Sequence, residues 1–295
     1  MTGTIVVMIA VALRVLSNPL ANVFQKQLTS KGLHPLMVNF LTYFLLSLFC
    51  VTLAFFTRIP SLGKDFWVYS ILVGVFGAVG NGFLVKALQM GDLSVLGPIN
   101  SYKSVVGIIV SIFLLSEIPS IWGVLGIALI IYGSYFVLDT TDERFSWRLF
   151  KRPEIQFRLW AMILTAIEAV FIKRVILASS TTMAFISWCV FGAFFSFAAL
   201  FFYRVRIQAE LSKTCKRAYL DKFILLIACV GTMQFTTNYV FEHMPVGYAL
   251  SLFQLSIIVS VIFGYHFFKE KDIQKKIIGS LIMIVGSVLI IWMKG

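Results

Sequence analysis

The sequence predicts an all-α integral membrane protein whose ten transmembrane helices form two inverted five-helix repeats. Three observations predict it. First, 59% of the 295 residues are hydrophobic and 13% charged, with a mean hydropathy of +0.93. Soluble domains are nearer a quarter charged, and so much apolar surface cannot hide in one water-facing core. Second, apolar runs of about 20 residues, the length that crosses the hydrocarbon of a bilayer, follow one another along the whole chain. Third, segments of the two halves can be laid on one another without a gap.

The spans fall near 5–24, 36–56, 67–88, 95–115, 121–138, 158–177, 183–203, 221–241, 247–267 and 276–293. The longest polar connections are 139–157 and 204–220, and the first of these separates a unit 1–138 from a unit 158–295. The first run begins at Ile5 without a basic flank, carries Arg14 at its middle and lacks a small-residue cleavage site. It reads as a retained span rather than a removable signal. The net charge of +12 sits in short loops between apolar runs, the pattern of a topology signal and not of a nucleic-acid surface. Lys and Arg concentrate in the connections after the first, fifth, seventh and ninth spans. By the positive-inside rule this places both termini outside the cytoplasm.

The third observation rests on named residues. LLSEIPSIWGVLGIALIIYGS aligns with FFKEKDIQKKIIGSLIMIVGS, pairing Glu117 with Glu270, Gly126 with Gly279, Gly133 with Gly286 and Ser134 with Ser287. Glycines seven apart share one helix face, where another helix can approach closely. Earlier in each half, VFQK (23–26) aligns with VFIK (170–173). An odd number of spans per unit makes the second unit enter the membrane upside down, as in secondary transporters that bind their solute between inverted repeats.

An apolar helix closing on LLSE or FFKE, then a short turn and a glycine-spaced last helix, twice in the chain, resembles the EamA domain of the drug/metabolite transporter superfamily. The resemblance covers essentially the whole chain. It implies a ten-helix carrier working by alternating access in a bacterial cytoplasmic (inner) membrane, with both termini inside, opposite to the charge count. The fourth span departs from the family pattern, with Lys103–Ser104 where many members have a proline and its own proline earlier, at Pro98.

Within the predicted spans, Arg14, Lys103 and Glu168 lie near span centres, and Lys86 lies close enough to an end to reach the interface. A charge at mid-bilayer costs about 2.5–3.5 kcal/mol on insertion scales, so such residues face a cavity or one another. Arg14 opens a polar stripe with Asn18, Asn22 and Gln25, all within about 80° of helix circumference, and Pro19 in that stripe frees a carbonyl near Val15. The fourth span repeats the arrangement with Asn100, Lys103, Ser104, Gly107 and Ser111. The second contributes Asn39, Tyr43 and Ser47, and the eighth Gln234, Thr237 and Asn238. A shared polar cavity satisfies all four stripes. Interhelical hydrogen bonding is the alternative for each Asn or Ser. Full charges are not needed for that, and the repeat does not require them: it sets Ala161 opposite Arg14, Ser256 opposite Lys103 and Ala21 opposite Glu168.

The reading is a secondary carrier of a small polar solute, anionic or zwitterionic, of the amino acid or organic acid type. Arg14, Asn18, Asn22, Tyr43, Asn100, Lys103, Gln234 and Asn238 are assigned to the solute, and Glu168 to proton coupling or an ion pair. Trp188 is a candidate wall beside Tyr43, whereas Trp67, Trp147, Trp160 and Trp292 sit near span ends, where indoles favour the interface. The alternative is a multidrug exporter of lipophilic cations, which should show several intramembrane acids; a sugar or nucleotide-sugar carrier ranks lower. No HExxH, GxSxG or P-loop points to an enzyme. No cofactor or metal is expected: Cys50, Cys189, Cys215 and Cys229 contain no CxxC pair, and His34, His243 and His266 all fall near span ends. The expected partners are the solute, membrane lipid and a proton or ion gradient; monomer and homodimer stay open.

Overall fold

The computed structural model describes residues 2–56, 61–103, 106, 121–140, 148–214, 217–244 and 246–292. Ser104, Gly107, Ser111, Glu117, Trp147 and Cys215 lie outside them. The described elements are helical. In chain order they are α1 (Thr2–Ser30), α2 (Pro35–Phe56), α3 (Lys64–Met90), a single turn α4 (Leu93–Leu96) running into a 3₁₀ turn (Pro98–Ser101), and α5 (Ile121–Leu138). After the connection come α6 (Pro153–Ala178), α7 (Thr181–Phe202), α8 (Ile207–Thr214), α9 (Arg217–His243), α10 (Val246–Phe253), α11 (Ser256–Phe268) and α12 (Ile273–Trp292). Six helices (α1, α2, α3, α5, α7 and α9) are long and apolar enough to cross a membrane.

Three features differ from the predicted spans. The connection 204–220 holds a helix, α8. The sixth span begins earlier, because Pro153 opens α6 at a position where its missing N–H costs nothing and Glu154 sits in the favourable first turn. The ninth span is two helices, α10 and α11, meeting at Gln254–Leu255. Pro19, by contrast, is accommodated inside a continuous α1.

The packing follows the repeat. α1 lies along α9 and α3 along α6, two contacts that interchange when the halves are exchanged, while α2 meets α7 and α5 meets α12, their own counterparts. The α5–α12 pair shows how closely. A Cβ on Gly133 would come within 2.6 Å of the Gly279 carbonyl oxygen, and one on Gly286 within 2.6 Å of the Gly126 carbonyl oxygen. These crossings make the pair antiparallel. Each glycine faces the non-equivalent glycine of its counterpart helix, as a two-fold relation between the units requires.

Glu270, in the turn after α11, ties three parts of the chain together. Its carboxylate accepts from the amides of Leu93 and Ser94, both at 2.8 Å, and from the Ser94 hydroxyl, so it caps α4. Lys26 of α1 reaches the same carboxylate at 3.0 Å and stands over the Phe268 ring. Lys276 of α12 donates to the Ser94 hydroxyl at 2.8 Å. Lys269 and Asp272 adopt left-handed conformations that allow so tight a turn. Lys173, the counterpart of Lys26, donates to the Phe241 carbonyl near the C-terminus of α9, an end that favours a cation.

Candidate functional site

The interrupted helices fall in corresponding places. In the gap-free register the break at Gln254–Leu255 corresponds to Ser101–Tyr102, where the 3₁₀ turn of the first unit ends, and Lys103 corresponds to Ser256. Discontinuous helices at matching positions of two repeats are the usual walls of a transporter site. Here they border one cavity of about 110 Å³, closed by α1, α3, α6 and α9.

The first interruption supplies the cavity with a fixed cation. In the 3₁₀ turn the Asn100 amide donates to the Gly97 carbonyl at 3.0 Å. The Leu96 carbonyl accepts instead from Arg158 Nε of α6 at 2.8 Å, and Arg158 Nη2 donates to Asn100 Oδ1 at 3.2 Å. Arg158, which the sequence reading did not select, is therefore a buried member of the cavity wall. Its signal was available: a helix opened by Pro153 puts position 158 past the first turn, not at the membrane edge.

From α1, Arg14, Asn18 and Asn22 all face the cavity. The Arg14 guanidinium lies 4.6 Å from the centre of the Phe253 ring, and its buried Nε and Nη1 have no hydrogen-bond partner among the described residues. The ring face attracts the cation and leaves these donors unused. Asn18, Asn22 and Lys103 likewise line the cavity without a hydrogen bond to a described residue. Gln234 lines it too, with its amide paired to Asn238 at 2.9 Å.

Glu168 projects into the same space from α6. It accepts from Trp188 Nε1 at 2.6 Å, and Gly77 of α3 leaves it room, since a Cβ there would come within 2.6 Å of Glu168 Oε1. Trp188 stands behind the acid, its ring 4.5 Å from that of Tyr43. Tyr43 accepts from Asn81 Nδ2 at 2.6 Å and borders a smaller annex reached by Asn18 and Asn22.

Seven of the nine residues assigned from sequence thus line the main cavity: Arg14, Asn18, Asn22, Asn100, Lys103, Glu168 and Gln234. Tyr43 lies in the annex, and Asn238 is fully buried behind Gln234. The stripe of α2 divides: Asn39 donates to the Ala78 carbonyl and to Ser196 Oγ, as interhelical glue, and Ser47 turns to its own backbone. Lys86 hydrogen-bonds Gln89, away from the cavity. Arg158, Asn81, Thr165, Ser256 and Ser260 are polar lining residues that the stripes did not reveal. Among the described residues no cluster of side chains is suited to a metal ion.

Apolar helices around a buried polar cavity are the arrangement expected of a membrane transporter. The EamA-like transporter family model matches residues 4–139 and again 153–292. The chain therefore belongs to the EamA-like transporter family, carrying its domain twice. A solved crystal structure is similar over 98% of this chain and 96% of its own, at 15% identity and a TM-score of 0.67, a likeness of fold. No curated protein matches the chain.

Proposed function

We propose that the protein is a secondary-active carrier, not an enzyme, moving a small anionic or zwitterionic metabolite of the amino acid or organic acid type through the cavity by alternating access. One observation carries this reading: three cationic side chains, Arg14, Lys103 and Arg158, line one cavity with a single acid among its described lining residues. Buried charge and unsatisfied donors are costly unless a ligand completes them, and a guanidinium edge matches a carboxylate in two hydrogen bonds. The cavity volume agrees, since about 110 Å³ is well below the roughly 300–1,000 Å³ of sites for drug-sized molecules. Among the described lining residues Glu168 is the one acid, which disfavours an exporter of lipophilic cations.

Ten spans arranged as two inverted five-helix units fit this reading. The antiparallel packing of α5 on α12, equivalent helices in the two units, supports the inversion. Of the remaining predicted spans, three coincide with α6, with α10 and α11, and with α12, and the fourth, 95–115, lies largely outside the described residues. A bacterial cytoplasmic membrane is the expected setting. Glu168, held by Trp188 at the cavity wall, serves as the proton-coupling group. A thermal-shift screen of the purified protein tests the solute class. Small carboxylates and amino acids should raise its melting temperature; stabilisation by lipophilic cations alone contradicts the proposal.

A further inference from the structure

Resting on that reading, the charge of the cavity narrows the solute further. Arg14, Lys103, Arg158 and Glu168 line one cavity between the helices. Among the described residues these four are the charged side chains of the wall. With all four groups ionised, the wall carries two positive charges in excess. Charges buried in a membrane protein are paired, because leaving one alone in a low-dielectric interior is expensive. A solute with one negative charge leaves one excess cation unmatched. A zwitterion, with no net charge, leaves the excess of two unchanged.

We infer that the solute is a dianion, whose two negative charges neutralise the excess of Arg14, Lys103 and Arg158 over Glu168. The donors are distributed to receive it. The Arg14 guanidinium offers N–H donors, Lys103 a movable point charge, and Asn18 and Asn22 amide donors along α1. Arg158 is anchored by Leu96 and Asn100, so its charge is fixed in place before the solute arrives. Two ligand chemistries meet the requirement: a dicarboxylate with its charges at two ends, and a phosphate monoester with both on one group.

The test is a charge ladder on the full-length protein in lipid nanodiscs at pH 7.5, read by calorimetric titration. Succinate is compared with its monomethyl ester, and glycerol 3-phosphate with its methyl diester, so that each pair differs by one charge at nearly constant shape. In at least one pair the dianion should bind ten-fold or more tightly than the monoanion, and the pair that discriminates tells carboxylates from phosphate. Lys103→Gln, at a side chain with no described hydrogen bond to lose, should reduce that preference to three-fold or less. Equal binding within both pairs overturns the inference while leaving an anion carrier intact. Binding of neither member of either pair, with lipophilic cations bound instead, overturns both.

Discussion

At the scale of single residues, the cavity is assembled from side chains whose partners are incomplete. Arg14 stands over the Phe253 ring yet keeps buried donors unused. Arg14→Ala should weaken solute binding by about 2 kcal/mol, about thirty-fold, the lower range for removing one partner of a buried charge pair. Arg14→Lys should recover only part of that, because an ammonium lacks the planar fork. Titration of the two variants against the wild type measures both effects, and equal affinities of all three proteins would remove Arg14 from the site. Glu168 has a different prediction. Glu168→Gln keeps an oxygen for Trp188 Nε1 but cannot release a proton. Solute exchange without a gradient should persist in this variant while accumulation driven by a pH gradient is lost. Retained pH-driven accumulation would exclude Glu168 as the coupling group.

Between elements, two junctions hold the architecture, and each makes its own prediction. The α5–α12 crossing leaves no room for a side chain at Gly133 or Gly279. Gly133→Ala should cost about 1–3 kcal/mol, the usual range for overpacking, and show as a lowered melting temperature in detergent. The second junction is the Glu270 cap on α4. Burial by itself would raise the Glu270 carboxyl. Lys26 and the hydroxyl and amide of Ser94 outweigh burial and hold it below the ordinary carboxylate value. A carboxyl lowered in the fold favours the native state above its unfolded value of about 4.3, and that contribution is lost as pH falls through the lowered native value. Thermal stability should therefore drop on acidification below about pH 4 more steeply in the wild type than in Glu270→Gln. At neutral pH that variant should be less stable by about 2 kcal/mol, the scale of hydrogen bonds to a charged group. Parallel acid profiles for the two proteins would show that the cap contributes little.

For the whole molecule, most of the architecture was legible in the sequence. Hydropathy gave the membrane class, and the glycine register anticipated which faces of α5 and α12 meet, because close helix approach leaves no alternative to small residues. The stripe on α1 was legible for the same physical reason: a charged, amide-rich face in an apolar helix has nowhere to go but inward. Less was visible where the effect depends on another helix. Arg158 looked like an edge residue until the interruption at Gly97–Pro98 freed the Leu96 carbonyl that it binds. Asn39 and Asn238 carried the same composition signal as Asn18 and Asn22, yet they are bonded to their neighbours, and only packing separates glue from lining. The break at Gln254–Leu255 carries no proline or glycine to announce it. An even number of spans puts the two termini on one side of the membrane, outside the cytoplasm by charge and inside by family habit. Reporter fusions at each end decide this, and opposite sides would rule out ten spans.

On the proposed function, a cationic cavity between two inverted units carries a small anion across the membrane. Counterflow in proteoliposomes tests it most directly, with vesicles loaded with an unlabelled organic anion and given a trace of the labelled one outside. The wild type should accumulate label transiently, and Arg14→Ala and Lys103→Ala, inserted to the same level, should not. Undiminished counterflow in both variants would contradict it.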